Sequence, residues 1–202
     1  MDDKMKEILE KATTVFLRFG IKSVTMDDVA RELGISKKTL YVHFKDKNEL
    51  VSQILASKIE EDQRTCCMVQ KDATNAIEEM FGIISFVIEN VGKINPSVFL
   101  DLQKYHADAW ELITNYKHSF IHKTVMKNIE RGKSEGIYRE ELNPDIIARI
   151  FIAMTDLLFD GKTFPWPEYT LTTLYQEITS FQIYGMANIN GINYLNSKMQ
   201  NQ

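Results

Sequence analysis

The chain has 202 residues, a formal charge of −4, 44% hydrophobic residues and two cysteines. That length suffices for one small module plus a larger body with its own core. No run approaches the ~18 to 20 consecutive apolar residues of a membrane span. The mixed-charge start MDDKMKEILEK is not built as a secretory signal. Cys66 and Cys67, adjacent in sequence, cannot form a disulfide framework and suit a reducing compartment. A cytoplasmic location is expected.

In chain order, Ile8, Ala12, Val15, Phe16 and Phe19 fall at helical spacing and predict a first helix with one core-facing stripe. Thr25 then stands three residues before Asp28, a capping-box start for a helix whose Val29, Ala30 and Leu33 form its inward face. Gly34 can take the positive φ that ends this helix, Ile35 anchors the turn, and Ser36 can cap the next helix. Leu40 and Phe44, four residues apart, face inward. Lys37, Lys38, Thr39, Tyr41, Val42 and His43 are left largely on the other side, and Lys45 and Lys47 follow at once. Two short helices joined by a tight turn, the second displaying cations and polar groups, make a helix-turn-helix of the kind that reads DNA.

Charge is distributed to match. Arg18 to Lys47 holds seven basic residues against four acidic ones, a local +3, so the remainder carries −7. The positive charge is concentrated where phosphates would lie, and the acidic remainder opposes indiscriminate binding to nucleic acid.

Thr25, Val29, Ala30, Gly34, Ile35, Ser36, Thr39, Leu40, Tyr41, Phe44, Lys45, Lys47 and Leu50 together resemble the DNA-binding segment of the tetracycline-repressor (TetR) family of bacterial transcription regulators. Ala12, Phe16 and Gly20 are similar to its first helix. Lys38 stands where that family usually has a small residue or Pro, and Val42 where an aromatic residue or His is more frequent. The resemblance implies an all-α protein, with a three-helix helix-turn-helix domain over residues 1–48 and a larger helical effector-binding and dimerisation domain over 49–202. It implies DNA contacts from Thr25, Lys37, Lys38, Thr39, Tyr41, Val42, His43 and Lys47. Of these, Tyr41 and Lys47 are expected on phosphate, and Lys37, Lys38, Thr39, Val42 and His43 on base edges.

Beyond Leu50 no strand pattern, repeat or low-complexity linker interrupts the helical reading. Val51, Ile54, Leu55 and Ile59 continue a long helix to about Met68. Asp72 to Glu89 predicts another, with Ile77, Met80, Phe81, Ile84 and Val87 apolar. Asn95-Pro96 opens a shorter helix carrying Val98, Phe99 and Leu102. From about Ala107 a long helix runs through Trp110, Ile113, Tyr116, Phe120, Ile121 and Val125 to Ile129, broken by Gly132 and Gly136. Asn143, Pro144 and Asp145 form a helix start, and Ile147, Ile150, Phe151, Met154, Leu157 and Leu158 follow. A loop over Asp160 to Pro167 precedes a last helix from Thr170 to Asn188.

These last two helices carry more apolar surface than one small body covers. In the resembled family they pair with their copies in a second subunit as a four-helix bundle. A homodimer with Phe151, Leu158, Leu174, Ile178 and Phe181 at its interface is therefore expected. The resemblance also implies a small-molecule cavity, for which Phe81, Phe99, His106, Trp110, Tyr116, Met154 and Phe159 are candidates. The implied function is a repressor that an effector releases from a near-palindromic DNA operator. An activator, a regulator controlled by a partner protein, and a metal or thiol sensor on the same head are the alternatives. His118 and His122 share a helix face but lack an obvious third ligand, so neither a metal nor any other cofactor is expected. No Gly-rich phosphate loop, HExxH, nucleophile elbow or CxxC is present, and an enzyme is not expected.

Overall fold

A computed structural model describes residues 3–199. It is 77% helical, with no strand among the described residues. The helices are α1 (Asp3–Phe19), α2 (Met26–Glu32), α3 (Lys37–His43), α4 (Lys47–Asp72), α5 (Ala76–Val91), α6 (Ser97–Tyr105), α7 (Ala107–Tyr116), α8 (His122–Ser134), α9 (Pro144–Asp156), α10 (Leu171–Met186) and α11 (Ile189–Met199). They divide between two compact units. One comprises the chain up to Asp62 together with Lys93–Tyr116, and the other Gln63–Gly92 together with the chain from Lys117. The unit that holds the helix-turn-helix thus extends past residue 48 and takes in α6 and α7.

In this head unit the apolar faces of α1 to α4, α6 and α7 share one core, with Ile8, Ala12, Phe16, Val29, Leu40, Phe44, Leu50, Leu102 and Ala109 buried in it. Burying such side chains contributes roughly 1.5 to 3 kcal/mol each relative to exposure. Phe19 is not part of this core. It is 53% exposed, beneath the guanidinium of Arg18, because α1 ends there and Gly20 turns the chain away. The segment 93–116 is tied to the head by named bonds: Asn95 N–H donates to Leu17 O at 3.1 Å, and Lys22 N–H donates to Asp101 Oδ2 at 2.7 Å.

In the other unit α8 packs on α9 and α5, and α10 packs on α5 and α9. Its centre is polar at one point. Asn128 donates to Ala76 O at 2.8 Å and accepts from the buried Tyr138 hydroxyl at 3.1 Å. Nearby, Arg131 reaches Glu79 at 3.0 Å, Glu135 at 2.7 Å and Ala73 O at 3.0 Å, so the buried Glu79 carboxylate is paired and the ends of α4, α5 and α8 are held together.

Several boundaries differ from the sequence reading. The helix expected from Asp72 begins at Ala76, because α4 runs to Asp72 and Asn75 caps α5 by accepting Glu78 N–H at 3.0 Å. The long helix from Ala107 is interrupted by a π turn over Lys117–Ile121. Gly132 does not break α8 but lies inside it. A Cβ there would stand 2.1 Å from Tyr138 Cδ2, so the glycine makes room for that ring. The helix expected to be last ends at Met186, and α11 follows it. Asn188 accepts the N–H groups of Asn190 at 2.9 Å and Gly191 at 3.1 Å, which is the bonding of an N-cap.

Candidate nucleic-acid interface

The site is built by caps. Asp28 N–H donates to Thr25 Oγ1 at 3.2 Å and Thr25 N–H donates to Asp28 Oδ2 at 2.9 Å, closing the capping box that starts α2. The Thr25 hydroxyl also donates to Asp28 Oδ2 at 2.6 Å, so its one O–H is already engaged. Thr25 therefore enters the site as a cap instead of a free phosphate donor. At the other end of α2, Gly34 has φ +65°, Ile35 N–H reaches Ala30 O at 3.0 Å and Gly34 N–H reaches Arg31 O at 3.1 Å. This paired termination needs a left-handed residue between the helices, a conformation that costs a side-chain-bearing residue roughly 1 kcal/mol or more. Ser36 then caps α3 by accepting Thr39 N–H at 3.0 Å.

With both ends of the turn fixed, Leu40 and Phe44 are each 0% exposed. The opposite face of α3 is set outward: Val42 is 74% exposed, and Lys37, Lys38 and Tyr41 are exposed beside it, while Thr39 and His43 are half-buried. Thr39 Oγ1 shares a 2.7 Å hydrogen bond with Ser36 Oγ, and the His43 ring stands 6.3 Å from that of Phe44.

The lysines are not equivalent. Lys37 pairs with Asp27 at 2.7 Å, and that carboxylate raises its pKa. Lys47 is folded back, its ammonium 5.9 Å from the centre of the Phe16 ring and 3.5 Å from Lys22 O, and burial lowers its pKa. Lys47, expected on phosphate, is thus half-buried and turned toward Phe16 and the Lys22 carbonyl. Lys38 and Lys45 project to solvent. Lys45, the residue immediately after the buried Phe44, is a further exposed cation beside α3 that the expected contacts did not include.

The residues expected to line an effector cavity are distributed over both units. Phe99, His106, Trp110 and Tyr116 belong to the head unit, and Phe81, Met154 and Phe159 to the other. Trp110 packs against the head core, and Phe81 is exposed. His106 is buried, its Nδ1–H donating to Asn48 Oδ1 at 2.7 Å, and burial lowers its pKa. It borders a cavity of ≈170 Å³ between Asn48 and Ser52 of α4 and Tyr105 to Ala109. That is below the ~300 to 1,000 Å³ of pockets for drug-sized ligands.

The expected dimer residues also separate. Phe151, Leu158 and Leu174 are buried within the single chain, where α8, α9 and α10 pack together, so their side chains are committed to its own core. Ile178 is half-buried and Phe181 is 69% exposed. The exposed apolar side chains of this region are Ile146, Ile150, Leu157, Phe181 and Tyr184, four of which the sequence reading did not single out for the interface. Ile150 and Leu157 each stand one residue before a chosen position, Phe151 and Leu158, while Ile146 lies one turn before Ile150 and Tyr184 one turn after Phe181. His118 is exposed in the π turn, and His122 faces Asp145 at 2.9 Å. Cys66 is buried and Cys67 exposed, and neither is in a disulfide.

A capped helix-turn-helix with a solvent-facing second helix, followed by further helices, defines a helix-turn-helix DNA-binding regulator. The family described as "Bacterial regulatory proteins, tetR family" matches residues 8–54. The uncharacterized HTH-type transcriptional regulator YfiR of Bacillus subtilis is 38% identical over 166 residues, 77% of this chain and 78% of that one. The HTH-type transcriptional repressor KstR2 of Mycolicibacterium smegmatis is 25% identical over 150 residues, 71% of each chain. In fold, the chain is similar to a putative transcriptional regulator from Saccharomonospora viridis in complex with choline. The TM-score is 0.74 at 19% identity, covering 93% of this chain and 100% of that one. The chain belongs to the TetR family of bacterial DNA-binding transcriptional regulators.

Proposed function

We propose that the protein is a homodimeric repressor that binds a near-palindromic operator through α3 and leaves it when a small molecule binds the helical body. The observation that carries this reading is the division of α3, with Leu40 and Phe44 fully buried and Lys38, Tyr41 and Val42 exposed. On such a helix Lys38 reaches guanine acceptors and Val42 offers an apolar contact to a thymine methyl. Tyr41 and Lys45 hold phosphate. Two copies of α3 about 34 Å apart read two half-sites.

The name of KstR2 as a repressor supports repression, and the choline complex of a protein of this fold supports a small-molecule effector. Residues 1–48 then read DNA, and 49–202 bind effector and partner subunit. The effector acts by preferring a state whose two heads are wrongly spaced, which takes ~3 to 5 kcal/mol of differential affinity across the dimer. The protein works in the cytoplasm without catalysis or cofactor, a reading supported by relatives named as transcriptional regulators. Titrating the purified protein into a labelled mixed-sequence duplex from 0.05 to 0.2 M salt tests the reading. Affinity should fall steeply with salt, as counterion release requires. A salt-independent affinity, or none at the lowest salt, contradicts it.

A further inference from the structure

One cluster of charge on the head unit lies outside the helix-turn-helix. Lys22 sits in the turn between α1 and α2, and Lys104 and Tyr105 close α6. The ammonium of Lys22 stands 5.0 Å and that of Lys104 5.4 Å from the centre of the Tyr105 ring. Tyr105 is exposed, and its hydroxyl is held below the usual phenol range because Lys22 and then Lys104 hydrogen-bond to it. Among the described residues neither lysine forms a salt bridge. The nearby carboxylate, Asp101, instead has its Oδ2 on the backbone N–H of Lys22 at 2.7 Å. Lys47 adjoins the same place through Lys22 O.

The corner is held in position as well as charged. Asn95 is bonded to Leu17, Lys22 to Asp101, and His106 at the start of α7 to Asn48 in the first turn of α4. Lys22 lies three residues before the cap of α2 and is linked to the first residue of α4, so the cluster continues the basic stretch that flanks α3. Ammoniums that form no salt bridge, with Asp101 acting on Lys22 only at longer range, beside an exposed phenol hydroxyl are the donor set of a phosphodiester contact, with point charge from the lysines and a directed O–H from the tyrosine.

We propose that the corner between α6 and α7, through Lys104, Tyr105 and Lys22, holds a DNA-backbone phosphate outside the bases that α3 reads. This rests on the DNA-reading assignment above. It makes α6, outside the helix-turn-helix, a direct DNA-contacting element whose displacement removes a contact as well as moving the head.

The probe is the duplex that the wild-type protein enriches from a pool of random 40-base-pair duplexes. Lys104→Ala should lower the slope of log K against log salt by about 0.9 for each corner engaged. Between 0.05 and 0.2 M salt it should then lose about threefold less affinity per corner than wild type does. Lys104→Arg should restore the slope. Tyr105→Phe should weaken binding with the slope unchanged, because it removes a neutral donor. Phosphate ethylation that blocks wild-type binding next to the base-contacted stretch should not affect Lys104→Ala at that phosphate. Equal slopes for wild type and Lys104→Ala, with the same blocking phosphates, overturn the proposal and leave the reading by α3 intact. Failure of the wild-type protein to enrich any duplex overturns the DNA-reading assignment and this proposal with it.

Discussion

Lys38 and Lys47 belong to one run of lysines in the sequence, yet their surroundings differ. Lys38 projects from the exposed face of α3, whereas Lys47 lies against Phe16 and the carbonyl of Lys22, where burial lowers its pKa. Lys38→Ala should therefore relax base preference at one position of each half-site by ~1 to 3 kcal/mol. Lys45→Ala should lower the salt slope by about 0.9, and Lys47→Ala should leave it within roughly half a unit. Fluorescence anisotropy at several salt concentrations separates the three, and a full unit lost by Lys47→Ala would show that its ammonium swings out to phosphate. At this scale the caps Thr25 and Ser36, the turn glycine Gly34 and the anchors Leu40 and Phe44 were legible, because each satisfies a local backbone requirement. The folding back of Lys47 was not, since it depends on α1 and on the Lys22 turn, distant in sequence.

Among the elements, the junction of α4 with α6 and α7 has a measurable pH signature. His106 is buried against Asn48. Its pKa is lowered first by burial and then by Lys47, while Asp101 acts in the opposite sense. Its neutral form is favoured in the folded chain, so the unfolded chain binds the proton first as pH falls through the ordinary value of 6.5. Stability should thus decline below that pH by at most about 1.4 kcal/mol per unit and level off once the folded form also titrates. Thermal melts of wild type and His106→Gln between pH 7.5 and 5.5 measure it. The wild type should lose more stability than the variant, and parallel curves would remove His106 from this role.

The helices themselves were mostly legible from caps and periodicity, as Asn143-Pro144 at α9 and Thr170 at α10 show. The π turn at Lys117–Ile121 was not, since apolar spacing continues across it. Nor was α11, because Asn188, its cap, is where the sequence reading ends the last helix.

For the whole molecule, the proposed homodimer would form on the apolar side chains that one chain leaves uncovered. Ile146 and Ile150, one helical turn apart on α9, and Phe181 and Tyr184 on α10 are exposed. Ile150→Glu with Phe181→Glu should give a folded monomer with weak affinity for a palindrome, whereas Leu174→Glu should unfold the chain by placing a charge in its core. Sedimentation with circular dichroism distinguishes these outcomes, and a folded dimer of the double variant would move the interface elsewhere. Sequence periodicity marked both helices as apolar, but it could not tell which part of each apolar arc the chain covers for itself.

Selection from random duplexes by the wild-type, Lys38→Ala and Val42→Ala proteins tests most directly whether α3 reads DNA. The wild type should enrich an inverted repeat with half-sites about one helical turn, roughly 10 base pairs, apart, and each variant should change preference at symmetric positions within it. Enrichment without a repeat, or identical base preferences in all three proteins, would contradict reading by α3.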